Sequence, residues 1–157
     1  MRLYLVQHGD ALPEDVDPER PLSDRGRIDV ERAGGFLAAR KTKLDRVIHS
    51  GKTRAQQTAE RLANSIAPDA PVTMTTGLNP LDDPKPLVQE IGAWRDDVML
   101  VGHLPFMGKL VSWLVVGSPQ GSVVTFEPGS VVCLEKGEHG WSVAWMIRPE
   151  LFESAGR

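Results

Sequence analysis

Four short apolar runs, each followed by a polar turn and an amphipathic stretch, set the rhythm of the first two thirds of this chain. The first spans Arg2 to Val6, where Leu3-Tyr4-Leu5-Val6 has the length and continuity of a buried strand. The loop from Leu12 to Leu22 follows, with Pro13, Pro18 and Pro21, and then Ser23 stands as a helix N-cap with Asp24 in the first turn. Val30, Ala33, Gly34 and Leu37 keep helical spacing to about Ala39. Arg46-Val47-Ile48-His49 reads as a second strand, and Thr53 to Ile66 as a helix with Ala55, Thr58, Ala59 and Leu62 on one side, ended by Pro68 and Pro71. Val72 to Thr75 gives a third strand, Pro86 to Ala93 a short helix, Val98 to Gly102 a fourth strand, and Leu104 to Val115 a helix apolar on most sides.

The last third alternates instead. Ser122 to Phe126, Ser130 to Glu135 and Trp141 to Met146 read as strands, with Gly137-Glu138-His139-Gly140 a hairpin turn. Strands alternating with helices predict a three-layer α/β/α domain over residues 1–157, its sheet mostly parallel with antiparallel strands added late. Every loop is expected to be short, Leu12 to Leu22 being the longest.

Two histidines end strands. His8 follows the first in Gln7-His8-Gly9-Asp10, and His103 follows the fourth in Gly102-His103-Leu104-Pro105. In open α/β sheets the carboxyl ends of parallel strands form the ligand edge, so both rings are expected in one crevice. A neutral imidazole with one N–H held by a fixed acceptor presents its other nitrogen as a nucleophile, and phosphorus is a fitting electrophile. Arg54, in Ser50-Gly51-Lys52-Thr53-Arg54, joins the second strand to its helix at the same edge. There a guanidinium and helical N–H groups form an anion site. As a merely solvated residue, Arg54 would be a cation opposing the helix dipole. His103, once protonated, can bind a phosphoryl oxygen. Taken singly, each histidine is better explained by a structural hydrogen bond at a strand end; His49, in a strand, and His139, in an exposed turn, carry no chemistry in this reading.

Composition narrows the alternatives. The chain has 157 residues, is 41% hydrophobic and 25% charged, and carries a net charge of −3. That balance offers no general attraction for nucleic acid or an anionic membrane, so any anion site is local. Cys133, the single cysteine, excludes an internal disulfide and sits in an apolar strand as an inert thiol. No apolar stretch approaches the ~20 residues of a spanning helix, and a cytoplasmic location is expected. No His or Cys pair has metal-ligand spacing and no cofactor is expected. The four tryptophans, Trp145 among them, read as packing residues.

Gln7-His8-Gly9, Ser50-x-x-x-Arg54-Ala55-x-Gln57-Thr58 and Gly102-His103-Leu104-Pro105 resemble, in order and spacing, the motifs of the histidine phosphatase superfamily. Gly9-Asp10-Ala11, Arg20-Pro21-Leu22-Ser23-x-x-Gly26 and the His-Leu-Pro variant resemble its SixA-type phosphohistidine phosphatases most. The resemblance implies a phosphoglycerate-mutase-like fold, His8 as the residue phosphorylated in catalysis, and Arg54 and His103 lining the phosphate pocket. Gln7, Gly9, Ser50 and Asn79 are the expected substrate-binding residues. One position departs from the family, whose first motif usually reads Arg-His-Gly where this chain has Gln7. A neutral amide in place of a charged donor forfeits about 1–2 kcal/mol, on the order of tenfold in rate.

Substrate class follows from what is absent. An ester leaving group needs a placed acid, whereas a phosphoramidate departs as imidazole. Asp10, Asp82 and Asp83 are candidates for that acid, but carboxylates in loops are ordinarily solvated. Short loops leave an open cleft, which suits a phosphohistidine on a protein, such as a phosphotransfer domain or a phosphocarrier. Two other readings stand: a phosphomonoesterase for a small metabolite, and a phosphate-binding module weakened in catalysis by Gln7.

Overall fold

The computed structural model describes residues 1–153. Six strands form one sheet: β1 (Arg2–Gln7), β2 (Arg46–His49), β3 (Val72–Met74), β4 (Val98–Gly102), β5 (Val131–Gly137) and β6 (Gly140–Ile147). Between them run α1 (Asp24–Ala39), α2 (Thr53–Ile66), α3 (Lys85–Ile91) and α4 (Phe106–Val116), with a 3-10 turn at Pro149–Phe152.

Strand order is β3-β2-β4-β1-β5-β6. β1 to β4 are mutually parallel, while β5 runs antiparallel to β1 and β6 antiparallel to β5. The alternation of side chains along each strand divides the core into two layers. On one face Tyr4, Val6, Val47, Met99 and Val101 meet Val30, Ala33 and Leu37 of α1 and Ala55, Ala59 and Leu62 of α2. On the other, Leu3, Leu5, Ile48 and Leu100 meet Leu87 and Ile91 of α3 and Phe106, Met107, Leu110 and Val111 of α4. Each fully buried Leu, Val or Phe contributes roughly 1.5–3 kcal/mol, so each layer holds its helices firmly. The architecture is the α/β/α sandwich expected from the pattern.

Helix starts follow the local chemistry. The Ser23 hydroxyl accepts the Gly26 N–H at 3.0 Å, and Asp24 occupies the first turn of α1. Gly26 has no alternative: a Cβ there would lie 2.0 Å from the Asp10 carbonyl oxygen. The β1–α1 loop is pinned to α1 at that point.

One predicted strand does not form. Residues 122–126 lie inside an irregular connection between α4 and β5, running from Gly117 to Ser130. Gly117, Gly121 and Gly129 adopt positive φ there, and Pro119 and Pro128 interrupt it further. Val123, Val124 and Phe126 still bury apolar surface, but against the α3/α4 layer from a loop. Among the described residues this connection is nearly as long as the one between β1 and α1, residues 8–23, which contains Leu12 to Leu22. Among the described residues no helix is long and apolar enough to cross a membrane.

Candidate active site

Because β2, β4 and β1 are adjacent and parallel, the residues that follow them share one edge. Ser50 follows β2, His103 follows β4 and His8 follows β1. The backbone locks the last two together, since the His8 N–H donates to the Gly102 carbonyl at 3.0 Å. The two imidazole rings lie 4.9 Å apart, tilted by 51°.

The tautomer of His8 is set by its neighbour. Nδ1 lies 2.8 Å from the Gly9 carbonyl oxygen, which can only accept, so Nδ1 carries the proton and Nε2 keeps its lone pair. Gly9 is itself tethered: its N–H donates to Thr58 Oγ1 at 3.0 Å, and that hydroxyl donates to the Arg54 carbonyl at 2.8 Å. Through Thr58, the turn that carries His8 and the first turn of α2 that carries Arg54 hold a fixed relation. His103 Nε2 lies 2.7 Å from Ser50 Oγ. Gly51, at φ 91°, makes the turn that brings Ser50 to this point.

Three buried polar atoms at this edge have no partner: Gln7 Oε1, Arg54 Nε and His103 Nδ1. Among the described residues only one other buried side-chain atom, Arg148 Nε, is left so. Orphaned buried groups cost stability, and their concentration makes this edge the candidate ligand site.

Both imidazoles are neutral. Burial lowers His8 to about 4, with Arg54 and Arg20 pushing the same way against the Gly9 carbonyl and Asp10. Burial, His8 and Arg54 together bring His103 to about 3. His103 is thus unprotonated in the free site at neutral pH. Arg54 is itself lowered by burial and by Arg20, yet stays cationic at ordinary pH.

The remaining expected residues fall into place as follows. Gln7 is 8% exposed, its backbone tied to Ser130 and Gly129 of the long connection. Gly9 uses its N–H and carbonyl to position His8, and Ser50 uses its hydroxyl on His103. Asn79 is exposed; its N–H is taken by Asp82, and its side chain makes no hydrogen bond to the histidine pair. Lys52 is exposed at the N-cap of α2. Asp10 accepts the Ser23 hydroxyl at 2.6 Å, and Asp83 accepts the Lys85 N–H at 3.0 Å.

Arg20 belongs to this set although the motif reading left it out of the site. Its charge acts on His8, Arg54 and His103. Its backbone is left-handed at φ 47°, and its Nε donates to the Leu12 carbonyl at 3.0 Å, closing the neck of the β1–α1 loop. The signal was the cation in Arg20-Pro21-Leu22-Ser23. Among the described residues no three of His, Cys, Asp and Glu are grouped to hold a metal ion.

Comparison with known proteins places this geometry. Phosphohistidine phosphatase SixA of Escherichia coli (strain K12) is 27% identical over 154 residues, 95% of this chain and 94% of that protein. A solved structure of the protein histidine phosphatase SixA complexed with tungstate superposes with a TM-score of 0.86 at 23% identity, covering 98% of this chain and 100% of that one. A phosphoserine phosphatase from Entamoeba histolytica, in complex with phosphoserine, shares the fold at a TM-score of 0.74 and 12% identity, over 97% and 99% of the two chains. The model of the histidine phosphatase superfamily (branch 1) matches residues 3–82, more than half of the chain, and the chain belongs to that superfamily.

Proposed function

We propose that this chain is a phosphatase that hydrolyses phosphohistidine on a protein through a covalent phospho-His8 intermediate. The observation that carries the reading is the His8 ring: neutral, fixed as the Nδ1–H tautomer, and set 4.9 Å from His103 among orphaned polar atoms. In the first step the Nε2 lone pair forms a bond to phosphorus while the phosphorus–nitrogen bond of the substrate breaks, and the substrate ring, already protonated on its other nitrogen, leaves with the electron pair as neutral imidazole. In the second step water attacks phospho-His8, and inorganic phosphate and the free imidazole result. Arg54 and Arg20 supply the positive charge that the phosphoryl oxygens meet, and the Gln7 amide and His103 supply further polar contacts.

A phosphoramidate substrate is favoured by the state of the nearby acids. Asp10 and Asp83 are committed to loop hydrogen bonds, as is Asp82 to Asn79, so none is a free acid for an alkoxide leaving group. His8 remains partly exposed although the long α4–β5 connection packs against its backbone, and an imidazole on a folded partner can approach it. The partner is then a phosphotransfer domain or phosphocarrier. A cytoplasmic location belongs to the same proposal.

The test is time-resolved phosphate release from a phosphohistidine-bearing protein beside an aryl phosphate ester, with His8→Ala as control. Release from phosphohistidine that is lost in His8→Ala supports the reading. Faster release from the ester supports a phosphomonoesterase. Binding of phosphate without release from either makes the chain a phosphate-binding module.

A further inference from the structure

A cavity of about 630 Å³ opens at the edge of the sheet opposite the histidine pair. Its walls come from both ends of the chain: Tyr4 on β1, Phe36 and Leu37 near the end of α1, and Trp145 and Ile147 on β6. β1 runs from this cavity to Gln7, so about 17 Å of strand separates it from the catalytic edge. The volume lies in the range of small-molecule sites, which pair apolar walls with a few placed polar groups.

The rim has a definite charge. Arg40, Lys41 and Lys43 stand almost consecutively where α1 turns toward β2. Among the described residues none of the three has a carboxylate partner. Arg2 and Asp97 also face the cavity, but they are engaged: Arg2 pairs with Glu135, and Asp97 accepts the Arg2 backbone N–H at 2.7 Å. Three free cations in a chain of net charge −3 form a local positive field.

Arg40 is held ready. Its guanidinium lies 3.7 Å from the centroid of the Phe36 ring, and Phe36 is fixed in turn by an edge contact with Phe152 at 5.4 Å. Stacking of this kind orients the planar fork while leaving its N–H groups free, which lowers the entropy lost when an anion binds. Lys41 sits at φ 55°, a left-handed conformation rare for a side chain of this kind. Hydrogen bonds from Lys41 N–H to Ala38 and Thr42 N–H to Leu37 maintain that turn. The tryptophans looked like packing residues in the sequence, yet Trp145, 6.0 Å from Tyr4, forms an aromatic wall here.

We infer that this cavity is a binding site for an aromatic anion, a planar apolar ring bearing a sulfonate, phosphate or carboxylate group. The ring lies against Phe36 and Trp145, and the anionic group meets Arg40 and Lys43. The site is separate from the phosphatase chemistry and does not depend on it.

The probe is naphthalene-1-sulfonate, titrated into the full chain by calorimetry and by backbone amide shift mapping. The expected result is binding that shifts the amides of Arg2, Lys41, Lys43 and Trp145. Methanesulfonate and 1-naphthalenemethanol should each bind at least tenfold more weakly. Arg40→Ala and Lys43→Ala, both on exposed side chains, should weaken the probe at least fivefold without changing phosphate release, and His8→Ala should leave probe affinity unchanged. Absence of shifts at those amides, shifts confined to the His8 and His103 turns, equal binding of the neutral ring, or unchanged affinity in Lys43→Ala would each overturn the inference.

Discussion

Replacing Gln7 by arginine tests the electrostatic account of the phosphate pocket most directly. Gln7 is 8% exposed and its Oε1 has no partner, so the side chain is buried beside His8 and not spread on the surface. A neutral hydrogen bond contributes about 0.5–1.5 kcal/mol and one to a charged group about 1.5–3 kcal/mol. The exchange should thus add about 1–1.5 kcal/mol of stabilisation to the phosphoryl transition state, on the order of tenfold in rate. The free protein bears the opposite effect. A third guanidinium would join Arg54, which burial and Arg20 already lower, and like charges without an anion repel. Gln7→Arg should therefore release phosphate faster from a phosphohistidine protein in single-turnover assays. It should also melt at a lower temperature, and tungstate should restore the loss more than it stabilises the parent chain. A folded Gln7→Arg protein with an unchanged or slower rate would refute the reasoning, because the neutral amide would then not limit the site.

Arg54→Ala should reduce phosphate release by at least a hundredfold while Lys52→Ala changes it less than threefold; equal small effects in steady-state kinetics would remove Arg54 from the pocket. Ser50→Ala deletes the 2.7 Å contact to His103 Nε2 and should lower kcat on the order of tenfold with little change in melting temperature, and an unaltered kcat would deny Ser50 a positioning role. Gly26→Ala places a methyl group 2.0 Å from the Asp10 carbonyl oxygen, so thermal denaturation should show a loss of about 1–3 kcal/mol or more, and wild-type stability would contradict the packing described. His8 and His103 titrate near 6.5 in the unfolded chain but at about 4 and about 3 when folded. Unfolding then takes up protons below pH 6.5. Stability is complete above that pH and falls between about 6.5 and 4 for His8 and on to 3 for His103, by up to about 1.4 kcal/mol per pH unit for each ring. Urea denaturation at pH 7.5, 6.5 and 5.5 measures this, and a flat profile would show that the rings are not held neutral.

How much of this was legible in the sequence depended on how local the cause was. β2 and α2 fall where the pattern put them because their limits are set by neighbouring residues: a polar Ser50-Gly51 turn, and Pro68 beyond the helix. The meeting of His8, Ser50 and His103 was legible for a global but simple reason, that parallel neighbouring strands share their carboxyl edge. The Gly117–Ser130 connection was misread because apolar content at Val123, Val124 and Phe126 reports burial, and burial against α4 does not require a strand. The Ser50 hydroxyl on His103 and the Thr58 link from Gly9 to Arg54 are contacts between segments far apart in the chain, and the charge of Arg20 reaches His8 through the folding of their shared loop. No spacing rule encodes them.

The neutral state of His103 has the same origin, and it explains how one pocket can hold both a nucleophile and a cationic clamp. Burial and the charges of Arg54 and Arg20 keep both imidazoles unprotonated, so the lone pair of His8 Nε2 is available at neutral pH instead of being lost to a proton. In the proposed mechanism those guanidinium groups are also the ones that face an incoming phosphoryl group. Once its negative charge offsets theirs, the electrostatic cause that disfavours an imidazolium at His103 weakens, and the ring can take up a proton and donate to a phosphoryl oxygen. His8 is spared the same fate because its Nδ1 proton is already fixed on the Gly9 carbonyl, and on the same proposal its Nε2 is the atom that bonds to phosphorus. On the proposed mechanism the two histidines, alike in sequence context and both neutral at rest, are separated in role by the groups their rings meet: a carbonyl holds one as the nucleophile, and a hydroxyl contacts the other, the acid.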